Sequence, residues 1–162
     1  MPTEAELGWA AGILDGEGGV YVTRTNKNSG FNVKLTVGNT SLALLERFMR
    51  IVGGVGSIRR RPRVANTRKH IFIYDVNAGR AVHVARLLRP YASLKSPQCD
   101  LIIQAHSLVG PRGTTRNPNK SKLDKLYRQC RALNRVGPRV EDDFIALSFD
   151  PQLSFLEPET RL

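Results

Sequence analysis

This sequence predicts an α+β fold in the order αββαββα, with further helices towards its C-terminal end. Three observations carry that prediction. Gly8, Gly12 and Gly16 recur every four residues, and two acids, Asp15 and Glu17, stand where the stripe ends. Two pairs of segments follow, Gly19 to Lys27 with Phe31 to Asn39 and Val55 to Arg63 with Arg68 to Val76, which alternate polar and apolar residues around short turns. Between and after these pairs, apolar residues return at helical spacing.

Taken in order, Thr3 and Glu6 have the spacing of a capping box, so the first helix begins there. Its glycines line one side as a smooth ridge without side chains. Each interior glycine costs a helix about 1 kcal/mol relative to alanine, a cost tolerated where another backbone must come very close. Gly16 and Gly18 should end the helix, leaving Asp15 and Glu17 at its C-terminal tip. Asn28-Ser29-Gly30 turns the first hairpin. Ser41 to Val52 places Leu42, Leu45, Phe48, Met49 and Val52 on one helical face, with Thr40 as N-cap and Gly53-Gly54 as terminator. Val64-Ala65-Asn66-Thr67 turns the second hairpin. Helices are expected over Ala81 to Tyr91, interrupted by Pro90, and over Pro97 to Val109. Residues 110–120 are rich in Gly, Pro, Thr, Asn and Arg and read as a loop. Lys122 to Val136 reads as a basic helix, and past Gly137-Pro138 comes an acidic tail.

A chain of 162 residues suits one domain with a real core. It has no run of eighteen apolar residues, so no membrane span is expected. The acidic start Met1-Pro2-Thr3-Glu4-Ala5-Glu6 is unlike a signal peptide. Cys99 and Cys130 lack metal-ligand spacing and suggest a reduced, intracellular setting. The net charge of +11 is uneven, since residues 141–162 hold six of the 14 acids and one of the 25 bases. Residues 1–140 are left with 8 acids and 24 bases, a charge of +16. Such a body attracts polyanions through a salt-dependent phosphate interaction. It argues against a small-molecule substrate.

The segment Ala10-Ala11-Gly12-Ile13-Leu14-Asp15-Gly16-Glu17-Gly18 resembles, without gaps, the motif of the LAGLIDADG homing endonucleases. Ala10 replaces the motif leucine, and Glu17 is the final acid where many members carry Asp. The resemblance implies a core over residues 1–109, with 110–140 as a basic loop and helix of the same domain and 141–162 as the acidic tail. It also implies a site-specific nuclease that breaks both strands of a long near-palindromic DNA and leaves 3′ overhangs. An RNA maturase or a non-cutting DNA-binding protein on the same scaffold is the alternative. A double-strand cut needs two reaction centres and this chain has one motif, so the expected partner is a second copy. Gly8, Ala11, Gly12 and Asp15 are the expected dimer interface.

Glu17 is the expected metal-holding carboxylate, with backbone oxygen from Gly16 beside it, and magnesium suits such a sparse all-oxygen set. The resemblance implies that manganese substitutes and that calcium binds without supporting cleavage. Asp15 is read as a structural residue at the helix junction. Two further catalytic residues are carried over from the family pattern: Lys95, a base after the third helix, and Asn39, a water-orienting group at the end of the second strand. For Asn39 a plain turn into the next helix is the alternative. An intracellular setting, in a prokaryote or within an organelle, is implied, along with carriage by a mobile intron.

In this family's fold a curved antiparallel sheet lies along the DNA major groove, so one side of each strand should face the bases. The resemblance then assigns Tyr21, Thr23, Thr25 and Lys27 on the first strand and Asn32, Lys34 and Thr36 on the second. Arg59 and Arg61 follow on the third strand, and Arg68 and His70 on the fourth, with Ile71 and Ile73 turned inwards. Arg116 and Arg139 are expected at phosphates.

Overall fold

The computed structural model describes residues 1–24, 30–61, 70–109 and 117–135. The expectations placed on Thr25, Lys27, Arg68, Arg116, Arg139 and the acidic tail lie outside the described residues.

Helix α1 runs Glu4–Glu17 behind a complete capping box: the Glu6 amide donates to Thr3 Oγ1 and the Thr3 amide to Glu6 Oε2. Leu7, Ala10, Ala11 and Leu14, spaced i, i+3, i+4 and i+7, bury one face. Gly8, Gly12 and Gly16 occupy another and stay exposed. Gly18 stops the helix in an extended conformation at φ −99°, so no left-handed turn demands glycine there. Crowding does. A Cβ at Gly18 would stand 2.5 Å from the Leu14 carbonyl oxygen.

Strands β1 (Gly18–Arg24) and β2 (Phe31–Asn39) form the first hairpin, and α2 (Leu42–Ile51) follows. Ser41, not Thr40, caps α2 by accepting from the Leu44 amide. Two adjacent hydroxyl residues offer the same chemistry, and the position whose side chain reaches the third amide wins. Strands β3 (Ser57–Arg61) and β4 (Ile71–Asn77) form the second hairpin. Helix α3 (Ala78–Leu88) starts directly after β4, three residues earlier than the spacing predicts. Helices α4 (Ser96–Leu108) and α5 (Lys120–Leu133) complete the described chain.

The sheet order is β1-β2-β4-β3, antiparallel throughout. Its inner face supplies Val20, Val22, Phe31, Val33, Leu35, Val37, Tyr74 and Val76 to the core, which the helices cover. Phe48 from α2 meets Tyr74 edge to face at 5.2 Å between ring centres, and the Tyr74 hydroxyl donates to the Val55 carbonyl. Burial drives the Tyr74 phenol well above its ordinary pKa.

Helix α5 covers the outer edge of β1. Cys130 Sγ lies 3.4 Å from both the Val22 nitrogen and the Val20 oxygen, and Asn134 Nδ2 donates to that same oxygen at 2.7 Å. Arg24 pairs with Asp124 and lies over the Tyr127 ring at 4.5 Å. A strand edge that would otherwise expose unpaired backbone groups is thereby closed.

Candidate functional site

Glu17 is the last residue of α1 and is exposed, with no hydrogen bond or ion pair among the described residues. The final carbonyls of a helix lack intrahelical donors. A carboxylate without a described partner thus belongs to the same last turn as these carbonyls, Gly16's included, at the negative end of the helix dipole. This all-oxygen set has the chemistry of a hard divalent cation site. Among the described residues no three His, Cys, Asp or Glu side chains gather.

Asp15 is committed elsewhere. Its Oδ2 accepts from the Ser93 amide at 2.7 Å and its Oδ1 from the Lys95 amide at 2.8 Å. Both oxygens thus tie the segment before α4 to the tip of α1, and Lys95 is brought into the neighbourhood of Glu17. The third expected catalytic residue, Asn39, ends β2 two residues beyond Val37, the partner of Gly18, and so lies at the same end of the sheet. Its Oδ1 accepts from the Ser41 amide at 2.9 Å and shapes the turn into α2. Its amide nitrogen is left to donate to another partner.

The ridge beside this tip is bare. A Cβ added at Gly8, Gly12 or Gly16 would meet nothing within 4 Å. Nothing among the described residues therefore requires glycine at these three positions, and the helix carries their cost regardless. Ala11 does not belong to the ridge: it is fully buried in the chain's own core. Its place in the i, i+3, i+4, i+7 pattern with Leu7, Ala10 and Leu14 explains why. Asp15, half-buried, spends its carboxylate on the α4 junction rather than on an outer surface.

Cross-strand pairing fixes the outer face of the sheet, since directly paired residues share a side. Tyr21 pairs with Lys34, Thr23 with Asn32 and Gly19 with Thr36, so Tyr21, Thr23, Asn32, Lys34 and Thr36 share one face of the first hairpin. In the second hairpin, Arg59 pairs with Ile73, Arg61 with Ile71 and Ser57 with Asp75. Thr36 and Gly38 of β2 flank Asp75 and Ile73 from the other side. Arg59 and Arg61 therefore lie on the outer face, and so do Ile71 and Ile73, which were expected inside. His70 falls just before β4 in the parity of Phe72 and Tyr74, the inner side. The expected register of β4 is thus wrong by one residue.

Sequence reasoning also missed Asp75. It is only 4 % exposed, although it lies on the outer face. Lys34 Nζ stands 2.7 Å from its Oδ1, and an Arg59 amino group donates to its Oδ2. Burial pushes the carboxyl pKa up, but the hydrogen bonds and charges of Lys34 and Arg59 outweigh it and hold the group below its ordinary value. A signal was there to find, because Asp75 is the sole charged residue of β4 and should have set which side faces water.

No protein-family model and no curated protein matches this chain. Solved structures do. The homing endonuclease I-CvuI, in complex with its target in the presence of calcium, superposes with a TM-score of 0.65 at 21% identity, over 83% of this chain and 85% of that one. The archaeal intron-encoded homing endonuclease I-Vdi141I, complexed with DNA, gives 0.67 at 16% identity over 86% and 90%. The LAGLIDADG meganuclease I-AabMI, bound to uncleaved DNA, gives 0.57 at 19% identity, over 75% of this chain but 43% of that one. The helix with its bare ridge and acidic tip, set against a four-stranded sheet, places this chain in the LAGLIDADG homing-endonuclease fold.

Proposed function

We propose that two copies of this chain form a divalent-metal-dependent endonuclease that cuts both strands of a specific, near-palindromic DNA site. One observation carries the reading: Glu17, the motif carboxylate without a partner among the described residues, stands at the end of an exposed glycine ridge that no described residue covers. Two such helices crossing along Gly8 and Gly12 bring two Glu17 side chains to one place, related by a two-fold axis. The sizes of the matching structures support this. I-CvuI and I-Vdi141I are matched almost end to end, whereas under half of I-AabMI is matched, leaving room in that chain for a second such unit.

Each Glu17 would hold a magnesium ion together with the Gly16 carbonyl and a substrate phosphate. Such an ion supplies charge neutralisation and a water activated for attack at phosphorus. Lys95, fixed through its backbone to Asp15, would steady charge on the scissile phosphate. The Asn39 amide would donate to a water on the same side. Tyr21, Thr23, Asn32, Lys34, Thr36, Arg59 and Arg61 would face the major groove, where arginine pairs bidentately with guanine. Each copy would cut one strand, and we assign the two cuts as offset across the two-fold axis so that 3′ overhangs remain. With a basic body of +16 over residues 1–140, non-specific affinity should fall steeply with salt.

The decisive experiment incubates the full chain with a randomised duplex library and magnesium and sequences the cut ends. The expected product is paired breaks at a constant offset around a near-palindrome. Unpaired nicks without symmetry, or no cleavage in magnesium or manganese, would overturn the proposal.

A further inference from the structure

Asp75 is an acid at the centre of a face otherwise suited to a polyanion. It belongs to β4, an interior strand, and pairs with Thr36 on one side and Ser57 on the other. Both neighbours are small, so long side chains from β2 and β3 can fold over the carboxylate. Lys34 and Arg59 do so from opposite sides. The result is a cation–carboxylate–cation bridge spanning three strands.

Such a bridge has two consequences for a DNA-facing surface. It removes one positive charge from the face, which weakens attraction to every phosphate alike. It also fixes the arginine. A solvated arginine samples many rotamers and can turn to whichever phosphate is near. Arg59 instead has one amino group bound to Asp75 while its side chain stays 68% exposed, so the remaining donors of the guanidinium project from a defined place. An arginine ordered in advance loses less entropy on binding a base edge. Both consequences lower generic affinity and raise discrimination.

Resting on the DNA-binding reading above, we infer that Asp75 is a positioning residue for sequence recognition. It holds Arg59 as the reader of one guanine in each half-site, through the O6 and N7 acceptors of that base, with Lys34 held alongside. The plain alternative is that Asp75 only relieves charge repulsion within the sheet. That role would change stability and overall affinity but would not single out one base pair.

The test measures binding of the full chain, in calcium, to its selected site and to a panel with every base pair substituted singly. Wild type should lose about tenfold or more at one G·C pair per half-site that Arg59→Ala no longer distinguishes. Asp75→Asn, nearly the same shape without the charge, should cut that discrimination to about threefold or less. It should also tighten binding to unrelated duplex and steepen its salt dependence, since Arg59 and Lys34 are released to phosphates. In the Arg59→Ala background, Asp75→Asn should add nothing at that base pair.

A uniform change across all positions, or an unaltered discrimination profile, would overturn the inference. Should Asp75→Asn fail to fold, Arg59→Lys keeps the charge and loses the fork. It must then lose the same base pair's discrimination, and full discrimination would refute the idea. A wild-type chain that binds no duplex refutes the DNA reading itself, an outcome recognised without any variant.

Discussion

The tip of α1 and the middle of the sheet each carry an acid in a strongly basic chain, and the two are treated in opposite ways. Glu17 is exposed and has no partner among the described residues. Asp75 is buried and bridges Lys34 and Arg59. Between them stands Asp15, two residues from Glu17, whose oxygens are both taken by backbone amides. Residue type is nearly constant across the three, so environment assigns the role. A carboxylate left open at the negative end of a helix can take up a cation from solution. One already neutralised by two cations can only position them.

The most severe way to break this contrast is to remove the open acid. Glu17→Gln keeps the shape and abolishes the charge that a cation needs. Metal assistance is worth several kcal/mol in the transition state, so cleavage should fall about 10³-fold or more. Folding should hardly change, because Glu17 makes no hydrogen bond or ion pair among the described residues, and site binding measured without divalent metal should persist. Cleavage rates and binding isotherms on the selected site check both halves, and a variant that still cuts at a comparable rate would remove Glu17 from the mechanism. Next in size is Gly12→Leu. Among the described residues a Cβ there meets nothing within 4 Å, and helix propensity should improve by nearly 1 kcal/mol. In a dimer packed along the ridge the same side chain forces two backbones apart. Sedimentation should therefore show monomers with an intact helical spectrum, and an undisturbed dimer would contradict the proposed interface.

How much of this contrast could be read beforehand depends on how far apart in sequence its parts lie. The ridge and the acidic tip are local, and a four-residue spacing shows them directly. The first hairpin was equally legible, because Phe31, Val33, Leu35 and Val37 alternate with Asn32, Lys34, Thr36 and Gly38. The second was not. Ile71-Phe72-Ile73-Tyr74 is apolar on both sides, so periodicity gives no parity, and two isoleucines were assigned to the core that belong outside. Ala11 was misplaced for a smaller reason: it adjoins the glycine stripe but continues the buried pattern of Leu7, Ala10 and Leu14. The partners of Asp15 and Asp75 lie beyond any local pattern, since Ser93 and Lys95 are about eighty residues from Asp15 and Lys34 is on another hairpin.

A smaller effect is expected at Asp15, where the contrast can be sharpened. Asp15→Ala removes the acceptor for two backbone amides and should cost about 1–3 kcal/mol, measured by urea unfolding. Asp15→Asn keeps one acceptor oxygen and should lose roughly half as much. Because the Lys95 amide is one of the two donors, cleavage should fall in both variants by more than stability explains. Equal stability in wild type and Asp15→Ala would show that the α4 junction is held by something else.

The mildest test is acid titration of stability. The Asp75 carboxyl sits below its ordinary value of 3.8 in the folded chain because Lys34 and Arg59 outweigh the opposing effect of burial. A depressed carboxyl pKa adds stability that is complete above the unfolded value and disappears as pH falls through the folded one. The contribution is therefore intact at neutral pH and lost below about pH 4. Glu6 acts in the same direction, its carboxyl held down by the Thr3 amide and hydroxyl. The two separate by substitution: Asp75→Asn should flatten the acid limb of melting temperature against pH while leaving the Glu6 share in place. An acid limb unchanged by Asp75→Asn would mean that the bridge does not stabilise the fold, whatever it contributes to recognition.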